Sequence, residues 1–241
     1  MQITEKTVRE IAIENPVSIR VFESVGIDYC CGGKRSLSEA CAQAGVAIDH
    51  VLDLLAQMDN DSHSQPLGSE DWRARPVHDL IAQIVEEHHS FVRRETPRIG
   101  SMLSKVSAKH GQAHPEILQI EPLFTAIGQE LATHMLKEEH VLFPYIEQME
   151  HAARKGAPMP SACFGSVQRP IANMVAEHDD AGALLAQIRD LSNGYTAPSE
   201  ACPTYLELYR GLEEFERDLH RHVHLENNIL FPRAVEMEQA G

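Results

Sequence analysis

His134-Met135-Leu136-Lys137-Glu138 and His222-Val223-His224-Leu225-Glu226 place an imidazole and a carboxylate four residues apart, twice in one chain. On a helix, residues at that spacing share a face, so each pair presents both groups in one direction. Each pair runs into the same ending, Leu142-Phe143-Pro144 and Leu230-Phe231-Pro232. Each is also preceded by an acid–imidazole step, Glu87-His88 and Glu177-His178. The two sets lie about 90 residues apart and read as an internal duplication. Two such copies facing each other gather His88, His134, His178 and His222 with Glu138 and Glu226 around one point. Imidazole nitrogen mixed with carboxylate oxygen is a donor set for a pair of transition-metal ions.

The elements that would carry these groups are four long helical patterns after Pro76. The first has Leu80, Ile81, Ile84, Val85, His88, Phe91 and Val92 on one stripe, with a kink or break expected near Pro97. The second carries Phe124, Ile127, Leu131, His134, Glu138, Val141 and Tyr145, and the third Ile171, Met174, His178, Ala181, Leu185 and Ile188. The fourth carries Leu208, Phe215, Leu219, His222, Glu226 and Ile229. Steps of three and four residues are those of core-facing helix faces. Segments rich in Gly, Pro and Ser around 108–116, 151–168 and 193–203 separate them. The fold class expected is all-α: an up-down-up-down four-helix bundle over 77–241, after a small helical domain over 1–60 and a polar linker over 61–76.

Each of the six polar groups falls on a stripe that should be apolar. A buried carboxylate costs several kcal/mol unless it is compensated, and a buried imidazole needs a partner for each ring nitrogen. A metal ion answers both needs. Four imidazoles and two carboxylates exceed one tetrahedral zinc, and no Cys lies on these stripes. They suit two six-coordinate irons joined by the carboxylates and a bridging oxide or hydroxide; manganese or mixed sites stay open. The Glu-x-x-His step of ferritin-like bundles occurs only once, at Glu86 and His89, and a His-Glu-x-x-His metallopeptidase signature is absent.

Composition narrows the surroundings. At 241 residues the chain can bury a sizeable core, and its formal net charge of −15 disfavours nucleic acid or an anionic membrane as partner. No apolar run approaches the roughly 20 residues of a membrane span. The start has neither the basic nor the apolar region of a secretory signal, and five cysteines make a disulfide framework improbable. A cytoplasmic location is expected.

The series His88, His134-x-x-x-Glu138, His178, His222-x-x-x-Glu226 with its Leu-Phe-Pro endings resembles the hemerythrin-like di-iron bundle. It departs from the oxygen carriers of that fold. They have a further His four residues after the third-helix ligand, where this chain has Gly182, and they close with a wider His-to-Asp spacing. Near the start, Asp28-Tyr29-Cys30-Cys31-Gly32-Gly33-Lys34 and the helical unit that follows resemble the N-terminal domain of the repair-of-iron-centres family. That family joins such a domain to a hemerythrin-like bundle. The resemblance implies a cytoplasmic non-haem di-iron protein that answers nitric oxide and oxidative stress. It implies damaged iron–sulfur proteins as partners, with iron donation or nitric oxide chemistry at the two irons. Two other readings are an oxygen- or nitric-oxide-sensing module without catalysis and a nitric oxide reductase proper.

Cys30 and Cys31 can pair with each other only in a strained ring, so they read as thiols in a glycine-rich loop beside Lys34 and Arg35. They are candidates for transient iron or nitrosyl-iron binding or for electron relay. His110 and His114 lie in an inter-helix loop. His140, His151, His220 and His224 fall off the core stripes and read as surface residues, while His89 borders its stripe. Glu87 and Glu177 are open between solvent and support of a neighbouring ligand.

Overall fold

A computed structural model describes residues 3–30, 32–61 and 72–240. Among these no strand forms; an isolated bridge between Thr7 and Ser36 is the one β contact seen there. No helix among the described residues is long and apolar enough to cross a membrane. The chain falls into two compact units, Met1–Pro76 with His220–Pro232, and Val77–Leu219 with Arg233–Gly241.

The first unit is built on four short helices, α1 (Val8–Glu14), α2 (Ser18–Val25), α3 (Leu37–Ala44) and α4 (Ile48–Asp61). Two of them start on reciprocal caps. The Ser36 hydroxyl accepts from the Glu39 amide while the Ser36 amide donates to the Glu39 carboxylate, as the Ser-x-x-Glu spacing predicts; Thr7 and Glu10 do the same for α1. Gly26 and Gly45 end α2 and α3 in the left-handed region, at φ 71° and 68°. Val8, Phe22, Tyr29, Leu37 and Val51 form the core, and α1 also packs on the segment Glu226–Leu230.

The second unit holds α5 (Val77–Gln83), α6 (Ser90–His110), α7 (Glu116–Lys137), α8 (Phe143–Lys155) and α9 (Gln168–Leu191), with α10 (Pro203–Leu225) up to Leu219. In the chain, α5 with α6, α7 with α8, and α10 with α11 (Phe231–Ala240) make continuous rods, each interrupted by a π-helical turn; α9 is the remaining rod. The segments 111–115, 156–167 and 192–202 join successive rods, in the chain order of an up-down-up-down four-helix bundle. Helix α7 lies against both α6 and α9, and the Phe215 ring meets Phe124 edge-on at 5.1 Å. Helix α6 runs through Pro97 without a break. Residues 62–71 of the expected linker lie outside the described residues.

The start of α5 is held by a distant carboxylate. Glu150 of α8 accepts from the Val77 amide at 2.6 Å, the His78 amide at 3.3 Å and His78 Nδ1 at 3.0 Å. Burial alone would raise this acid, but those donors and Arg154 outweigh it and hold the carboxyl below its ordinary range. A lowered folded value means the contribution is present above the unfolded pKa and is lost as pH falls through the folded one. Replacing Glu150 with Gln should therefore destabilise the protein by about 1–3 kcal/mol at pH 7. In urea unfolding, the gap to wild type should shrink as pH drops below the ordinary 4.5. A gap constant across that range would show that the ionised carboxylate is not the cap.

Candidate metal centre

The six residues singled out by spacing are all buried, at 0–4% exposure, and the three π-turns sit among them. Ile84–His89 ends on His88 and His89; Glu138–Leu142 and Glu226–Leu230 each begin on the carboxylate of a His-x-x-x-Glu pair. A π-turn inserts one residue into the helical count, so every later residue on the rod is rotated relative to an unbroken stripe. That rotation explains two departures from the expected pattern. Val141, placed on the inner stripe by periodicity, is 48% exposed while Leu142 and Phe143 are buried. On the first rod, His89 takes the inward position that an unbroken stripe gives to His88.

The ligand atoms converge. His134 Nε2 lies 3.3 Å from the Glu138 carboxylate and 2.9 Å from His178 Nε2, and His89 Nε2 lies 3.4 Å from Glu138. His222 Nε2 lies 3.0 Å from Glu226. Two groups have ligand atoms all within 4.8 Å of one another: His134, Glu138, His178 and Glu226, and His89, Glu138, His222 and Glu226. These separations fit a metal. Two ligands at right angles on metal bonds of about 2.1 Å lie about 3 Å apart. Nitrogen and carboxylate donors without sulfur favour iron, manganese or a similar ion.

The other ring nitrogen of two of these histidines is held by an acid, which turns Nε2 inward. His89 Nδ1 meets Glu139 at 2.6 Å, and Arg93 donates to the same oxygen at 2.6 Å. His134 Nδ1 meets Glu177 at 2.9 Å, and Lys137 donates to the other oxygen of that carboxylate at 2.5 Å. Burial alone would raise both acids. Hydrogen bonds from His89 and Arg93 to Glu139, and from Lys137 and His134 to Glu177, outweigh it and keep both below the usual carboxylate range.

His134, Glu138, His178, His222 and Glu226 are thus brought together, with His89 beside them. His88 is also buried, but its Nδ1 faces Asp218 Oδ1 at 3.0 Å and it is in neither group. Of the two acids left open by spacing, Glu177 holds His134, whereas Glu87 is exposed and bonds Gln83. His224, expected at the surface, is 3% exposed. Cys30 is buried, and its thiol donates to Asp28 at 3.3 Å; Cys31 lies outside the described residues. Sequence reasoning missed Glu139, whose partner His89 lies 50 residues away, and Arg93, which lies 46 residues from Glu139.

Changing Glu139 to Gln should leave the helices intact but weaken metal binding about 10–100-fold, because His89 loses its anionic anchor. Titration with ferrous or cobaltous ion, followed by absorption, measures this; equal affinity would show that Glu139 does not orient the ligand.

Comparison with known proteins agrees with this geometry. Residues 79–234 match the family described as hemerythrin HHE cation binding domain, and residues 4–59 match a domain of unknown function, DUF542. The chain is 37% identical over 238 residues to the iron-sulfur cluster repair protein YtfE of Pectobacterium atrosepticum, covering 99% of this chain and all of that one. It is 35% identical to the protein of the same name from Citrobacter koseri, covering 98% of this chain and 99% of the relative. With both domains matched and relatives aligned along nearly its whole length, the chain belongs to the iron–sulfur cluster repair family, which carries a hemerythrin-like cation-binding domain.

Proposed function

We propose that this protein holds two irons and uses them to restore iron–sulfur clusters damaged by nitric oxide or oxidative stress in the cytoplasm. The observation that carries this reading is that Glu138 and Glu226 belong to both ligand groups. A carboxylate common to two sites is what a bridged pair of ions requires, and a single-ion site has no use for it. On this reading His134 and His178 serve one ion and His89 and His222 the other, with an oxide or hydroxide completing the bridge. The relatives' printed name supplies the task, iron–sulfur cluster repair.

A bound pair of irons would supply redox-active positions for nitric oxide or oxygen species, and a store of iron for a damaged cluster. The chain's own residues set the conditions for holding and releasing that cargo. The Glu139 and Glu177 carboxylates hold Nδ1 of His89 and His134, so each ring turns Nε2 toward the ion. Arg93 and Lys137 keep those acids ionised by direct hydrogen bonds. Glu138 and Glu226, with no exposed surface, lie where water competes little for their oxygens. The donors gathered here are imidazoles and carboxylates, so a bound iron would be held without thiolate, the ligand that a thiolate-rich client would offer it.

Reconstituted without oxygen, the protein should take up about two irons per chain and reactivate an iron–sulfur dehydratase inactivated by nitric oxide. A ferrous chelator should abolish the rescue, and changing His134 to Ala should remove both iron and rescue. Equal reactivation by the metal-free protein, or by the H134A variant, would sink the proposal.

A further inference from the structure

We infer that Asn228 is a positioning residue that ties the loop bearing Cys30 to the π-turn bearing Glu226, so that the state of the loop governs how firmly iron is held. The inference rests on the di-iron reading above. It concerns the unit formed by Met1–Pro76 and His220–Pro232.

Asn228 lies in the π-turn Glu226–Leu230, two residues after the carboxylate, and is 6% exposed. Its amide nitrogen has two hydrogens and two acceptors. The Tyr29 carbonyl lies at 3.4 Å and His224 Nδ1 at 2.8 Å. For Nδ1 to accept, His224 must be neutral with its hydrogen on Nε2. Asn228 is therefore an oriented bridge whose two donors are both used inside the protein.

Tyr29 is held at its other end too. Its hydroxyl donates to Glu23 at 3.1 Å, and Glu23 receives both arms of the Arg221 guanidinium at 2.8 Å. Arg221 directly precedes His222, so the two ties from Tyr29 reach the residues flanking the His222 and Glu226 pair. The Tyr29 ring also stands edge-on to His224 at 5.5 Å. Its carbonyl is boxed in from the loop side, where a Cβ on Gly33 would lie 2.5 Å from that oxygen.

The next residue in the chain is Cys30. Its amide and thiol both donate to one oxygen of Asp28, at 3.0 and 3.3 Å, and the Gly32 amide donates to the other at 2.8 Å. The loop is wound around that carboxylate. Any change that removes the thiol hydrogen costs the loop one of the three holds on Asp28 made by the described residues. The Tyr29 carbonyl then shifts, and Asn228 carries the shift into the turn that positions Glu226.

Release of iron to a ferrous chelator, under anaerobic conditions and in the full chain, reads the coupling without an activity assay. The Asn228→Ala variant should keep wild-type helicity by circular dichroism and about two irons, yet release them about tenfold faster. Changing Cys30 to Ala, which removes the donor to Asp28, should alter release in the wild-type background and have no added effect in N228A. Arg221→Met cuts the second tie at an exposed side chain and should also speed release, which keeps the test available if N228A does not fold. Release at the wild-type rate in both N228A and R221M would overturn the inference, as would an equal C30A effect with and without Asn228. A wild-type chain that takes up no iron would instead refute the di-iron reading itself.

Discussion

A carboxylate moved from water into a helical interior loses hydration worth several kcal/mol even after the protein relaxes, and only opposite charge or a metal restores it. Glu138 and Glu226 have no exposed surface, and four buried imidazoles crowd toward them. That arrangement is a poor way to stabilise a bundle, since apolar side chains of similar volume would do so at less cost. It is a good way to hold cations. The rest of the site follows from this constraint: which ring nitrogens turn inward, which acids stand behind them, and where the helices depart from regular winding.

The departures are instructive. Each of the three π-turns begins or ends on a proposed ligand. An extra residue per turn weakens the local hydrogen-bond ladder, which is why such turns are rare and cluster at functional sites. Here the turn lets a rod present ligands and a hydrophobic stripe from positions that a regular helix could not align. Leu142 and Phe143 are buried immediately after Glu138, and Ile229, Leu230 and Phe231 shortly after Glu226. The repeated Leu-Phe-Pro endings thus mark where each rod resumes regular winding.

Behind the rings stand acids paired with bases. Arg93 on Glu139 and Lys137 on Glu177 neutralise charges that would otherwise add to a carboxylate-rich interior in a chain already at −15. The same economy appears at Glu216, which takes Arg189 at 3.0 Å and the Tyr195 hydroxyl at 2.9 Å. Tyr195, at φ 59°, is one of the two non-glycine residues in the left-handed region among those described, and its hydroxyl and amide bonds hold it there.

Much of the molecule is legible from the chain alone, because its signals are local. The His-x-x-x-Glu pairs, the Ser36–Glu39 cap and the four apolar stripes each depend on residues a few positions apart, where helix geometry is the governing physics. What tertiary structure alone decided is non-local or breaks that geometry. Periodicity assumes an unbroken helix, so it points to His88, whereas the π-turn brings His89 Nε2 to Glu138, and His88 Nδ1 faces Asp218. Off-stripe position suggests an exposed His224, yet packing against Tyr29 buries it. The acid behind His89 lies 50 residues away, and no spacing within one helix encodes a partner on another.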